Sequence, residues 1–408
     1  MKTICCFAAL WILCGSARAA TPTGDSPQAF LQLGIVADNF EWPVTPRPEV
    51  EIQTKVDHAA ALTGATAAAS GSPRWIRVHL RSTRPGPELE NVITIIRQAN
   101  LRGLKVLVNV VQHVEDFDER SRFMADLSGT PLESMWPKHP FITRFSQTRA
   151  QSFSARMLRM LAAFRDHHLH VDAFEIDNEL DWGAFNGDLI NRDGTAPTLS
   201  VMQQTVSKYA EIFKLAHRLV QDDAAFKRAK LISFGFADPD PAYLTRPRSA
   251  GGLGVDPQKL PILPAEVLFG ELQGRPYLFN SELRQPLNQE DVLTRFADGI
   301  GLHVYTDDPG TLIHRIADMV RPSGKPLWIT EWGYLKNGNH QSDDTRRAKM
   351  NAFICQANEI KAPRVETLFY YSYNDNWGLV APMTPTSDPS VPREVFDSAY
   401  KVFKDYTH

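Results

Sequence analysis

Apolar, β-branched runs recur along the chain in a regular rhythm. They read FLQLGIVA (30–37), RWIRVHL (74–80), KVLVNVV (105–111), DAFEID (172–177), KLISFGF (230–236), GIGLHVY (299–305), PLWITE (326–331) and TLFYYSY (367–373). The stretches between them change period. Phe153, Met157, Leu161 and Phe164 fall on one face of a 3.6-residue helix. Tyr209, Ile212, Phe213, Ala216 and Leu219 do the same, as do Ile313, Ile316 and Val320, and then Val395, Phe396, Ala399, Tyr400 and Phe403. Eight strands alternating with helices predict an α/β fold in which a parallel sheet closes into a single (β/α)8 barrel. An open doubly wound sheet is the competitor, but it wants a Gly-rich turn after the first strand. GIVADNFEW supplies only Gly34.

Loop lengths add a direction to this barrel. Connections from helix into strand are short (100–104, 167–171), whereas those after strands are long (112–147, 180–200, 237–281). Long loops therefore gather at the carboxyl ends of the strands, the end at which barrels of this kind carry their sites.

The first twenty residues stand apart. Lys2, an apolar run from Thr3 to Gly15 and the sequence Ser16-Ala17-Arg18-Ala19 have the order of a secretory signal peptide. The apolar run is too short to span a bilayer as a helix. Residues 1–19 are thus expected to be removed, leaving one catalytic-size domain over 20–408 in the periplasm or outside the cell. Lipidation at Cys14 is the weaker alternative, since Leu13 sits where a small residue is wanted. Of the 4 cysteines, Cys5, Cys6 and Cys14 fall in that segment, so the mature chain keeps Cys355 and no intramolecular disulfide. Cys355 is expected to pack in a helix.

Composition narrows the function. With 43% hydrophobic and 22% charged residues in 408, the chain is of the globular class. Its net charge is −3, and −5 after cleavage, which removes Lys2 and Arg18. There is no basic excess to attract a phosphate backbone, so nucleic acid is not an expected partner. A monomer without cofactor is the expectation.

Two carboxylates stand at strand ends, Glu179 in FEIDNELDWG and Glu331 in LWITEWGY. Strands four and seven face each other across a closed barrel, so both side chains can converge on one pocket. Paired carboxyls flanking a scissile bond are the equipment of glycoside hydrolysis, one protonated to assist the leaving oxygen and one ionised to attack. In RWIRVHL, the apolar residues Ile76, Val78 and Leu80 suit the helix layer, which turns Trp75, Arg77 and His79 inward. A guanidinium there needs a carboxylate partner, and Glu331 supplies one. Likewise Ile300, Leu302 and Val304 face outward in GIGLHVY, turning His303 and Tyr305 inward.

Strand four strains the alternation, because Glu175, Asp177 and Glu179 share parity. A bulge at the strand end would bring Asn178 and Glu179 in together. Glu175 is then expected to pair with Arg77, and Asp177 stays open as an alternative functional acid. Trp136, Trp182, Trp332 and Trp377 follow strands and offer flat faces to sugar rings, while mid-strand Trp328 is expected in the core. Trp42, Asp38 and Asn39 after strand one read equally as a sugar-hydroxyl contact or a turn. Asn109 and His113 are rim candidates. The HHLH tract at 167–170 lies at the other end of the barrel and reads as a solvated helix end.

Taken together, Asn178-Glu179, Thr330-Glu331-Trp332-Gly333, His303-Val304-Tyr305, Trp377 and Arg77 make the chain resemble clan A, the retaining glycoside hydrolases built on (β/α) barrels. The similarity spans about 31–380, and the wording of strands six and seven is similar to family 39. The resemblance implies that Glu179 is the acid/base and Glu331 the nucleophile. It further implies that Asn178 bonds the sugar 2-hydroxyl, Tyr305 donates to Glu331, His303 lines the pocket and Trp377 forms its floor. The substrate implied is an oligo- or polysaccharide, and the carboxyl separation expected of a retaining enzyme is roughly 5 Å. A carbohydrate-binding barrel that never cleaves is the alternative, as is transfer to a second sugar by the same pair. A metal-dependent hydrolase ranks last, since only His303, with His79 or His113, could serve it.

Overall fold

The computed structural model describes residues 31–37, 40–63, 74–117, 143–190, 197–239, 245–250, 260, 262–275, 290–306, 308–333 and 343–371. The expectations for the leader, Asp38, Asn39, Trp136, Trp377 and the last helical stripe fall outside them.

Strands and helices alternate as the periodicity predicts. β1 Gln32–Val36 is followed by α1 Pro48–Leu62, β2 Arg74–Leu80 by α2 Pro87–Leu101, and β3 Lys105–Val110 by α3 Ala150–Asp166. β4 Ala173–Ile176 leads to α4 Leu199–Asp222, and β5 Lys230–Ile232 to α5 Ala265–Leu272 and α6 Val292–Phe296. β6 Ile300–Val304, α7 Pro309–Val320, β7 Leu327–Trp332, α8 Asp343–Glu359 and β8 Val365–Tyr370 complete the described elements. Local chemistry fixes several starts. Proline opens α1, α2 and α7, where its missing N–H costs nothing, and Glu88 and Glu90 sit in the first turn of α2. The Asp308 side chain accepts from Thr311 N at the head of α7.

Every strand pair is parallel, in the order β5-β4-β3-β2-β1-β8-β7-β6. The two ends of that order meet through parallel bridges, Ile232 with Gly299 and Phe236 with Leu302. Ser233 N donates to Gly299 O (3.1 Å) and His303 N to Phe236 O (2.8 Å) across this seam. The sheet is a closed (β/α)8 barrel.

Two apolar layers result. Outward side chains of the strands, Ile76, Val78, Leu302, Val304 and Ile329 among them, pack against the helical stripes. Inside, Val36, Trp75, Leu107, Ala173, Ile232, Trp328 and Phe369 form a separate plug. Trp75 and Trp328 meet edge to face at 5.1 Å, an arrangement that adds about 0.5–1.5 kcal/mol to simple burial. Gly34 leaves the room this plug needs: a Cβ there would fall 2.7 Å from Phe369 and 2.8 Å from Trp75. The plug fills the barrel interior beside and below Arg77. Polar side chains one layer above it accordingly sit on an apolar floor, where charges interact strongly.

Candidate active site

β2 begins the site. Its inward residues rise in order: Trp75 in the plug, then Arg77, then His79. Arg77 is wholly buried, and a lone guanidinium there would cost several kcal/mol. It is not alone. Nε lies 2.6 Å from Glu175 Oε2 on β4, and Nη1 lies 2.6 Å from Glu331 Oε1 on β7. Nη2 donates to Asn178 Oδ1 at 3.2 Å. Against burial, the two carboxylates hold the Arg77 pKa above its ordinary value. One guanidinium thus ties together β2, β4 and β7.

The end of β4 is shaped by backbone rather than by a bulge. Asp177 and Glu179 both have left-handed φ, 74° and 46°, a region costly for residues with side chains. The chain winds between them, and Asn178 pairs in parallel with Gly235 beyond β5. Strict alternation ends here. Glu175 and Asn178 both reach Arg77, Glu179 reaches across to β6, and Asp177 turns aside. The Asp177 carboxyl accepts from Asn178 N at 2.9 Å, and burial pushes its pKa up to about 7 against such donors.

On β7 a second irregularity intervenes. Leu302 pairs with Ile329 but His303 with Glu331, so Thr330 is an extra residue in the ladder. Trp328 points into the plug, and three residues later Glu331 again points inward. Without that extra residue, Glu331 would face the helices.

Four side chains then converge. His303 Nδ1 lies 2.6 Å from Glu179 Oε1 and 3.6 Å from Glu331 Oε2. The Tyr305 hydroxyl donates to Glu331 Oε2 at 2.6 Å. One oxygen of each glutamate and a nitrogen of His303 all lie within 4.8 Å of one another. The two carboxyls differ in charge. Burial, helped by the charge on Glu331, raises Glu179 above the carboxylate range. Glu331 is buried too, yet His303, Arg77 and Tyr305 hold it down at about 2. The surroundings thus favour a proton at Glu179 and a negative charge at Glu331. Glu179, His303 and Glu331 are also ligand types for a metal ion. Arg77 already places a fixed positive charge on Glu331, which disfavours a divalent cation there.

Several sequence expectations change in three dimensions. Trp332 is 1% exposed, packed between Phe353 (4.7 Å) and Tyr370 (5.1 Å) in the helix-facing core, so it has no face for a sugar. The extra residue at Thr330 reverses its direction. Asn109 is not at the rim: it is buried, with Oδ1 on His79 Nδ1 (2.8 Å) and Nδ2 donating to Asp177 O (2.8 Å). Arg77 lies beneath the pocket, its nitrogens bonded to protein, and is no substrate contact. His303 is likewise fully buried and acts on Glu179 instead of lining the surface. His113 caps the short turn Val114–Asp116, accepting from Glu115 N. Cys355 is half-buried.

Other expectations keep their place. Tyr305 is 39% exposed at the mouth, and half-buried Trp182 follows Glu179 beside Phe185. Trp42 is exposed beyond β1. His167, His168 and His170 are exposed at the far end of the barrel. Two residues escaped sequence reasoning, Gly235 and Asp181. The pairing of β4 and β5 was the signal for Gly235; nothing in the sequence marked Asp181.

No family model matches the chain, and no curated protein matches it in sequence. Solved structures do share its architecture. The AHE enzyme from Alicyclobacillus herbarius superposes with a TM-score of 0.54 at 16% identity, over 93% of this chain and 98% of that one. A family 1 β-glucosidase from Thermotoga maritima gives 0.53 at 15%, again over 93% and 98%. An exo-β-1,4-mannosidase from an Opitutaceae bacterium, strain TAV5, gives 0.48 at 14%; this chain spans 93% of its own length but only 60% of the mannosidase. At such identities the likeness is one of fold.

Proposed function

We propose that the chain is an exported retaining β-glycoside hydrolase acting on an oligo- or polysaccharide. The observation that carries this reading is the Glu179–Glu331 pair. Carboxyl oxygens within 4.8 Å leave no room for a water between them and the sugar, as an inverting enzyme at about 6.5–9.5 Å requires. Their opposite charge states suit the two roles. Ionised Glu331 attacks the anomeric carbon as the C–O bond to the leaving group breaks, and the proton of Glu179 passes to the departing oxygen. In the second step Glu179 takes a proton from water, whose oxygen displaces Glu331 with the same configuration restored.

The neighbours of each acid support this division. Arg77 and Tyr305 both donate to Glu331 and favour its charged form, each making it a weaker base, so its negative charge is held in place for attack. His303 shares a short hydrogen bond with Glu179 that fixes the direction of its carboxyl, while burial and the charge on Glu331 raise its pKa. A sugar-binding barrel without catalysis would gain nothing from a buried carboxylate braced by a cation. The fold shared with a β-glucosidase is compatible with this chemistry, and the leader-like residues 1–19 support export.

The test is the stereochemistry of turnover. Proton NMR of the first product from an aryl β-glycoside panel is expected to show the β-anomer before mutarotation. First appearance of the α-anomer, or no cleavage of any panel member or polysaccharide, overturns the reading.

A further inference from the structure

Asp181 lies two residues beyond Glu179, fully buried, in the turn that follows β4. Its Oδ1 accepts from Ala237 N at 3.0 Å and its Oδ2 from Asp238 N at 2.7 Å. Its carbonyl oxygen accepts from Leu263 N at 2.8 Å, and the next residue, Trp182, pairs antiparallel with Ile262. On the other side of Glu179, Asn178 is bridged to Gly235, and Glu179 N itself donates to Gly235 O at 3.1 Å. The five residues from 178 to 182 are therefore stitched to the segment after β5 on both sides of Glu179.

Such stitching has a physical reason. Glu179 at φ 46° occupies backbone space that a glutamate avoids, and a conformation of that kind persists only where the surroundings enforce it. Asp238, which receives the clamp, is also left-handed (φ 42°) and is paired with Arg315 on α7. The titratable groups facing Asp181 are Glu179 on its own segment and His303 on β6. A carboxyl group suits the task because both of its oxygens can accept at once. An amide has one acceptor, and its NH2 would confront the second N–H.

We propose that Asp181 is a positioning residue for Glu179: by holding the N–H groups of Ala237 and Asp238 it fixes the left-handed turn that aims Glu179 across the pocket at Glu331. This rests on the proposed acid role of Glu179. Asp181 touches neither substrate nor reacting atoms, so its effect is confined to the step that needs a well-aimed proton.

Leaving-group dependence tests this. Two β-glycosides of one sugar are compared, a dinitrophenyl glycoside that departs without protonation and an unsubstituted phenyl glycoside that needs it. In Asp181→Asn, kcat for the phenyl substrate is expected to fall on the order of 10–100-fold, the scale of a misplaced catalytic group. The rate of glycosylation by the dinitrophenyl substrate, read as the burst of phenolate, should change less than about threefold. Equal losses on both substrates overturn the proposal, because a general loosening of the barrel would produce them. If Asp181→Asn does not melt cooperatively, Asp181→Ser carries the same comparison. Failure of both variants to fold shows a clamp on the whole barrel and overturns the assignment. A parent enzyme that cleaves neither substrate is a distinct result: it removes the glycosidase reading and this proposal with it.

Discussion

Gly235 and His303 share one space. A Cβ built on Gly235 would fall 1.9 Å from the Nε2 atom of His303, closer than any real contact. The imidazole is buried and its Nδ1 is bonded to Glu179, so it cannot retreat without taking that bond with it.

Gly235→Ala is therefore expected to damage chemistry through His303. Overpacking of this kind costs about 1–3 kcal/mol of stability. Activity should drop by at least tenfold, the loss falling on substrates that need leaving-group protonation. Thermal melting and kcat against leaving-group acidity check both parts; full activity in this variant would contradict the geometry.

Removal of each glutamate should give a different signature. Glu331→Ala is expected to abolish turnover in a chain that still folds, at a lowered melting temperature because buried Arg77 loses one of its two carboxylates, and a mechanism-based fluorosugar should label Glu331 in the parent chain. Glu179→Ala should lose about 10²–10⁴-fold on poor leaving groups, whereas its turnover of a dinitrophenyl glycoside should recover with added azide, which attacks the glycosyl–enzyme without a base. Mass spectrometry of the labelled peptide and the anomer of the azide product are the measurements.

The pH profile follows from the two shifts. Glu331, held at about 2, stays ionised well into the acid range, so kcat/KM should persist at low pH. Glu179 must carry its proton, so activity falls as pH rises through its raised pKa. Replacing Arg77 by Met removes the cation that favours the Glu331 carboxylate. The acid limb should then move to higher pH, with kcat/KM reduced across the profile. A second, smaller movement in the same direction is expected for Tyr305→Phe.

Stability has its own pH dependence. Burial raises Asp177 to about 7, so the folded chain holds a proton that the unfolded chain has released above about pH 4. Stability then declines as pH rises toward that value, by up to about 1.4 kcal/mol per pH unit for the retained proton. His79, pushed down to about 3, works in the opposite sense only below its unfolded value of 6.5. Between pH 6.5 and 7 the melting temperature should fall, and Asp177→Asn should flatten that fall. An unchanged slope in the variant would show that Asp177 is ionised throughout.

The barrel was legible because it is written in short-range pattern. Ile76, Val78 and Leu80 alternate with Trp75, Arg77 and His79, and a period of two admits one answer about which row faces the helices. The pairing of Arg77 with Glu175 and Glu331 followed from the same row, because a buried guanidinium has few ways to be satisfied. Placement failed where the backbone departs from the period. Thr330 as an extra residue on β7 sends Trp332 to the core, and the left-handed turns at Asp177 and Glu179 replace the expected bulge on β4. Neither irregularity has a side-chain signature, since both are set by the strands on either side.

By itself, then, the sequence determined which segments are strands, which faces are apolar and which two glutamates stand at strand ends, since each depends on neighbours within a few residues. Only the tertiary structure decided that Asn109 is bonded to His79 and Asp177, that His303 backs Glu179 against Gly235 and that Asp181 grips the segment after β5. Those contacts join residues 30 to 124 positions apart, and their existence depends on how far each strand is shifted against the next. Hydrophobic alternation fixes the face that a residue takes; height along the barrel axis is fixed by register and closure, and chemistry depends on height.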